Sequence, residues 1–99
     1  MAGKLVRDKI PELIVKNGGA PSTRILADEE YLRELDKKLQ EEVAEYLEQN
    51  DLTELCDILE VIRAIADARG SGINAVEDMR KQKLHERGGF KEKIFLNKL

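Results

Sequence analysis

The most constraining feature of this chain is the short polar break QND at residues 49–51, which separates two long amphipathic stretches. Apolar residues recur at helical spacing before the break, at Leu32, Leu35, Leu39, Val43, Tyr46 and Leu47. They recur again after it, at Leu55, Ile58, Leu59, Val61, Ile62 and Ile65. Because so short a connection forces two long helices into an antiparallel arrangement, the sequence predicts a helical hairpin.

Capping residues and glycines set the boundaries of the predicted helices. Helices are predicted over residues 9–17, 28–49 and 52–69, and from Asn74 up to Gly88. The candidate N-caps are Asp8, Asp28, Asp51 and Asn74, the last two paired with Glu54 and Glu77 in capping boxes. The short runs 4–7 and 89–99 are predicted to be extended.

The composition is typical of a helical bundle. Hydrophobic residues make up 41% of the 99 residues and charged residues 37%, and tryptophan is absent. A chain of this length builds only a small core, and the apolar arc of the second hairpin helix is wider than one antiparallel neighbour buries. We therefore expect one all-α domain completed by oligomerisation, with an N-terminal arm carrying the short helix (1–27), a helical core (28–88) and a tail (89–99).

Charge and cysteine content exclude several classes of protein. The net charge of -3 argues against a sequence-independent grip on nucleic acid, which needs a dense basic face. Cys56 is the only cysteine, so no intramolecular disulfide forms. No apolar run has the length of a signal peptide core or a membrane span. A cytoplasmic protein that acts on no nucleic-acid polymer and no membrane is expected.

Two acidic pairs flank the break, and the members of each pair are three residues apart. The pairs are Glu42 with Glu45, and Glu54 with Asp57. Because the last turns of the first hairpin helix lie beside the first turns of the second, the two pairs are predicted to approach each other. Glu42 lies at the edge of the leucine stripe and Glu54 within the apolar arc. Glu41 and Glu48 point away from the stripe and are interpreted as bystanders.

Four carboxylates near a low-dielectric surface repel one another and need either protons or a cation. An oxygen-only set suits Mg²⁺, or Mn²⁺, and such an ion clamps a polyphosphate and lowers the pKa of a bound water. Two simpler interpretations stay open. Either acidic pair alone is typical of a solvated helix face, and Glu54 is equally well placed as a capping-box residue.

The motifs KLQEEVAEYLE and TELCDILEVIRAI resemble the Glu-x-x-Glu plus Glu-x-x-Asp signature of the MazG-like all-α NTP pyrophosphohydrolases, which include phosphoribosyl-ATP pyrophosphohydrolase. LVRDKIPELI and KLHERGGF further resemble a small house-cleaning branch of that family. The resemblance implies a homodimer or homotetramer. It also implies a nucleotide substrate that is hydrolysed between its α and β phosphates to a monophosphate and pyrophosphate. By position, the Mg²⁺ ligands and catalytic carboxylates would be Glu42, Glu45, Glu54 and Asp57.

Basic side chains are needed beside the metal to hold a triphosphate. Arg7 and Arg87 lie in the stretches that match the branch, and Lys81 and Lys83 lie near Arg87 on the last helix. A solvated basic face is the alternative for each of them. A non-catalytic helical oligomer that binds a nucleotide or a partner protein is the alternative function, and phosphoribosyl-ATP or an alarmone is the alternative substrate.

Overall fold

Residues 3–99 are described by a computed structural model, in which they form four α-helices and no β-strand. The helices are α1 (Ile10–Lys16), α2 (Asp28–Gln49), α3 (Leu52–Ala68) and α4 (Gly72–Arg87). The predicted all-α class is confirmed. None of these helices is long and apolar enough to cross a membrane.

The turn between α2 and α3 explains the hairpin. Asn50 takes a left-handed backbone conformation with φ of 52°, and its amide donates to the Tyr46 carbonyl at 2.7 Å. Asp51 then caps α3, because its side chain accepts a hydrogen bond from the Thr53 amide at 3.0 Å. The hairpin boundaries therefore lie within a residue of those predicted.

The predicted caps of the first two helices are wrong. Lys9, not Asp8, is the N-cap of α1, because the chain first turns with the Ile10 amide donating to the Arg7 carbonyl. Asp28 is the first residue of α2 and Ala27 is its N-cap, without a side-chain hydrogen bond. Asp28 still lies where the helix dipole favours negative charge.

The predicted cap of the last helix is also wrong. α4 begins at Gly72 with Ser71 as N-cap, so Asn74 lies inside the helix. The Glu77 carboxylate does not reach back to a cap, since Arg80 donates to it at 2.6 Å and 2.9 Å. The end of α4 is as predicted, with Gly88 as C-cap at a φ of 79°.

The packing centres on α3, which contacts α2 along the hairpin and α4 at its other end. Within residues 3–99, α1 contacts no other helix, and the buried hydrophobic residues are Leu35, Val61 and Ala66. An apolar cavity of about 330 Å³ lies where α4 meets α2 and α3, lined by residues that include Leu39, Ile62 and Met79. Phe90, in the segment that follows α4, is 96% exposed.

The chain is far more open than a folded monomer of its size. Its accessible surface is 9061 Å², against about 5,700 Å² for a typical monomer of 11.3 kDa. Its radius of gyration is 17.5 Å, against about 13 Å for a compact domain of 100 residues. The hairpin and its neighbours therefore leave much apolar surface uncovered.

Part of that surface forms a patch at the closed end of the hairpin. We call the apolar patch the exposed residues Val43, Leu47, Leu52, Leu55 and Leu59. By helical position they lie on one side of the hairpin, the side that α4 covers further along α3. α4 thus covers one half of the wide arc of α3 and leaves the other half bare.

Candidate metal and phosphate site

The hairpin brings three of the four predicted acidic residues together. Glu42 on α2 and Glu54 and Asp57 on α3 each offer a carboxylate oxygen, and these oxygens lie within 4.8 Å of one another. We call these three residues the acidic cluster. The short turn between α2 and α3 places the end of one helix beside the start of the next.

The fourth residue, Glu45, lies in an adjoining group with Glu41 and Glu42, whose oxygens also lie within 4.8 Å of one another. Glu41, which was expected to point away from the site, therefore has its side chain beside Glu42 and Glu45. The backbone position of Glu41 points away from the hairpin seam, but a glutamate side chain is long enough to return toward it. Glu42 belongs to both groups and links them.

Glu42 is the most buried charged residue of the described chain, with 7% of its surface exposed. Its Oε2 is buried without a hydrogen-bond partner, and so is Oε2 of Glu54. The Glu54 amide donates to the Asp51 carbonyl at 3.1 Å, but among residues 3–99 the Glu54 carboxylate accepts no hydrogen bond from the Asp51 amide, so the capping-box interpretation does not explain the Glu54 side chain. Because an unpaired buried carboxylate oxygen is unfavourable, these atoms favour a cation at the acidic cluster.

The electrostatics of Glu42 point the same way. Burial raises the pKa of Glu42, because it disfavours the charged form. The neighbouring Glu45 carboxyl raises the pKa of Glu42 further, because a hydrogen bond between the two carboxyls needs a proton and because their charges repel. Asp57 adds to the repulsion and Lys38 opposes it. A cation bound here would offset the repulsion of Glu42 by Glu45 and Asp57.

The N-terminal arm supplies one counter-ion. Arg7 donates through Nη2 to Oδ1 of Asp57 at 2.7 Å, across 50 residues of chain. The arm segment 5–9 lies against the hairpin and forms one wall of a cavity beside the acidic cluster. The predicted phosphate-binding residue Arg7 is therefore at the site.

Two further lysines lie at the site, and one of them, Lys38, was missed by the sequence interpretation. Lys38 Nζ lies 3.5 Å from Glu42 and 3.4 Å from Glu41, and Lys4 Nζ lies 3.8 Å from Glu41. The Lys38 side chain is only 18% exposed. Its signal in the sequence was the spacing of three and four residues to Glu41 and Glu42, which places charges side by side on a helix.

The cavity beside the acidic cluster has a volume of about 420 Å³, within the range of small-molecule pockets. It combines charged and apolar walls. Lys38, Glu42, Asp57 and Glu60 line it together with Tyr31, Leu35, Val61, Ala64 and residues 5–9. The lining therefore offers a ligand charged groups of both signs and an apolar wall.

The remaining predicted cations are elsewhere. Lys81, Lys83 and Arg87 are exposed on α4, and none of them lines this cavity. The alternative of a solvated basic face describes their surroundings in this chain. Cys56 is exposed.

Comparisons with known proteins add little to this geometry. No family model matches the chain, and no solved structure matches it. An uncharacterized protein of Mycolicibacterium smegmatis is 60% identical over 42 residues, which are 42% of this chain and 43% of that protein. The chain thus spans less than half the length of that relative, and the match assigns neither a family nor an activity.

Proposed function

We propose that the protein is a MazG-like nucleotide pyrophosphohydrolase that uses Mg²⁺, or Mn²⁺, to cleave a non-standard or surplus nucleoside triphosphate between its α and β phosphates. The observation that carries this proposal is the buried, unpartnered Oε2 of Glu42 beside Glu54 and Asp57. A hard divalent cation binds carboxylate oxygens, and these buried oxygens have no hydrogen-bond donor that would compete with it.

The donor set fits such an ion. The acidic cluster offers oxygen ligands only, and Glu45 extends it by one turn of α2. Hard cations that keep several waters bind through few carboxylates, so three ligands leave room for the phosphates of a substrate. When bound, Mg²⁺ supplies charge neutralisation to phosphate oxygens and makes a nearby water more acidic.

The chain itself would do the rest. Arg7 and Lys38 are donors for phosphate oxygens beside the acidic cluster. A carboxylate of the set accepts the proton of the attacking water as the new oxygen–phosphorus bond forms. The anhydride bond breaks and pyrophosphate leaves. Tyr31, Leu35 and Val61 provide an apolar wall for the nucleoside.

A product assay tests this proposal. The protein is incubated with Mg²⁺ and a panel of standard and modified nucleoside triphosphates, phosphoribosyl-ATP and an alarmone, and the products are separated by chromatography. A monophosphate together with pyrophosphate is expected from at least one nucleoside triphosphate. Inorganic phosphate with a diphosphate, or no product at high protein concentration, contradicts it. Metal binding without any product would favour the non-catalytic alternative.

The open shape of the chain supports self-association in the same proposal. The accessible surface exceeds that of a typical monomer by roughly 3,300 Å² per chain, which is ample for an obligate interface. The apolar patch is the part of this surface that lies on the α2–α3 hairpin, and a second copy presents the same patch. A homodimer or homotetramer is therefore expected, and light scattering in solution measures it.

A further inference from the structure

Asp57 takes part in both the acidic cluster and an ion pair with Arg7. One of its oxygens lies within 4.8 Å of oxygens from Glu42 and Glu54, and its Oδ1 accepts a hydrogen bond from Arg7 at 2.7 Å. The guanidinium therefore lies at the edge of the acidic cluster, where a divalent cation would also be attracted. Arg7 lines the cavity and its side chain is 58% exposed, so donors remain accessible for a ligand.

A divalent ion makes the charge of the site less negative by its two positive charges. When they are ionised, the carboxylates of the acidic cluster and of its neighbours Glu45 and Glu60 outnumber the cations Arg7 and Lys38. The metal-free site therefore repels an anion, and a bound cation reduces that repulsion and attracts the anion directly.

We propose that Arg7 is a phosphate-binding residue that Asp57 holds in the metal-free protein and that a divalent cation releases by taking over the Asp57 carboxylate. Cation and phosphate then bind with positive coupling through Arg7. The guanidinium suits this exchange because its planar fork binds either a carboxylate or a phosphate with paired hydrogen bonds. The inference rests on the metal site of the proposed function, and is independent of the hydrolysis.

The position of Arg7 in the fold allows the exchange. It lies in the arm segment just before α1, and among residues 3–99 α1 contacts no other helix. Movement of Arg7 from Asp57 to a phosphate therefore requires no repacking of a helix interface. Lys38, by contrast, is on α2 and largely buried, so it stays with Glu42.

A different role for Arg7 predicts the opposite effect on metal binding. If Arg7 only orients Asp57 so that its other oxygen binds the ion, loss of Arg7 weakens metal affinity. If Arg7 competes with the ion, loss of Arg7 tightens it. The sign of one measurement distinguishes the two roles.

The first experiment is calorimetric titration with Mg²⁺ and Mn²⁺ of the unsubstituted protein, Arg7→Gln, Arg7→Lys and a matched control, Arg24→Gln. Arg24 pairs with Glu30 at 2.7 Å, and its side chain is 68% exposed, so its ion pair resembles that of Arg7 but is outside the acidic cluster. Arg7→Gln should bind the cation roughly two- to five-fold more tightly, the range that corresponds to an exposed ion pair. Arg24→Gln should bind it as the unsubstituted protein does.

The second experiment measures inorganic phosphate binding with and without saturating Mg²⁺. In the unsubstituted protein and in Arg24→Gln, the metal should tighten phosphate binding, and by reciprocity phosphate should tighten metal binding by the same factor. Direct metal–phosphate contact contributes to this factor in every variant. Arg7→Gln should reduce it several-fold, and Arg7→Lys should keep part of it because the charge remains.

Three outcomes overturn the inference: metal affinity that is unchanged or weaker in Arg7→Gln, equal coupling in Arg7→Gln and Arg24→Gln, or no metal binding to the unsubstituted protein. The last outcome also removes the metal site of the proposed function, whereas the first two leave that function intact. Circular dichroism establishes whether each variant is folded. If Arg7→Gln does not fold, Arg7→Lys serves as the test.

Discussion

The two sides of the α2–α3 hairpin differ in the groups that lack a partner: carboxylate oxygens on one side and apolar side chains on the other. The side that the N-terminal arm covers holds the acidic cluster, with buried carboxylate oxygens that no donor reaches. The other side holds the apolar patch, whose leucines are exposed where α4 ends its coverage. One side therefore favours a cation and the other favours a protein surface. The difference shows that one hairpin can present buried carboxylates on one face and exposed apolar side chains on the other.

The largest expected effect comes from the acidic side. Glu42→Gln removes the buried charge at the centre of the donor set while preserving side-chain shape. Pyrophosphate release should fall by about 100-fold or more, because the ion loses a ligand that is needed to stabilise charge in the transition state. The gain in thermal stability from Mg²⁺ should also disappear. In the unsubstituted protein, that gain is about 1.4 kcal/mol at ten times Kd, or roughly 5–10 °C.

The control for this substitution is Glu48→Gln, on the same helix but exposed and outside both acidic groups. It should retain both activity and the Mg²⁺ effect. Activity retained in Glu42→Gln would show that Glu42 is not a metal ligand.

The next effect tests the apolar side. Leu59→Glu places a charge in the apolar patch, at a residue that is 55% exposed within one chain. The protomer should fold normally, and the dissociation constant for self-association should rise by roughly 10- to 100-fold, because the carboxylate would be buried in the interface. Light scattering over a dilution series measures this.

The comparison variant is Ile25→Glu, since Ile25 is 96% exposed but lies in the loop before α2. It should associate as the unsubstituted protein does. Equal dissociation of the two variants, or a monomeric unsubstituted protein, would remove the patch as the interface.

The hairpin was predictable because its signals are local. Apolar periodicity, the QND break and the Asp51 cap each act over a few residues, and together they place Glu42 beside Glu54 and Asp57. The caps at Asp8 and Asp28 were not predictable from residue type, because a cap depends on the backbone angles of the preceding turn.

The contacts across the site were harder to predict. The pairing of Arg7 with Asp57 spans 50 residues, and no periodicity in the arm specifies where it lies against the hairpin. Lys38 carried a local signal, its spacing to Glu42, but that spacing is common on solvated helix faces. What distinguishes Lys38 from a lysine on a solvated face is its burial, and it lines the same cavity as arm residues 5–9.

The mildest of the predicted changes concerns how folding stability depends on pH through the buried Glu42 carboxyl. The folded-state pKa of Glu42 is raised above its ordinary value of 4.5, so Glu42 favours the folded state fully below pH 4.5 and loses that contribution as pH rises through its raised pKa. Glu30 and Glu77 have lowered pKa values, because arginines bind them, and their contributions are instead lost as pH falls. The total free energy of unfolding therefore contains contributions that rise with pH and contributions that fall with pH. The contribution of Glu42 is isolated only by comparing the protein with a variant that lacks this carboxylate.

Thermal unfolding of the metal-free protein and of Glu42→Gln, followed from pH 4 to pH 8 in chelator, provides that difference. Glu42→Gln should be relatively more stable at the upper end of the range, by a few degrees, and the two curves should converge toward pH 4. Mg²⁺ should raise the unsubstituted curve mainly at the upper end, since the cation binds the ionised carboxylate. Parallel curves across the range would mean that Glu42 is not strained in the metal-free protein. The acidic side of the hairpin would then have lost the property that distinguishes it from an ordinary charged surface.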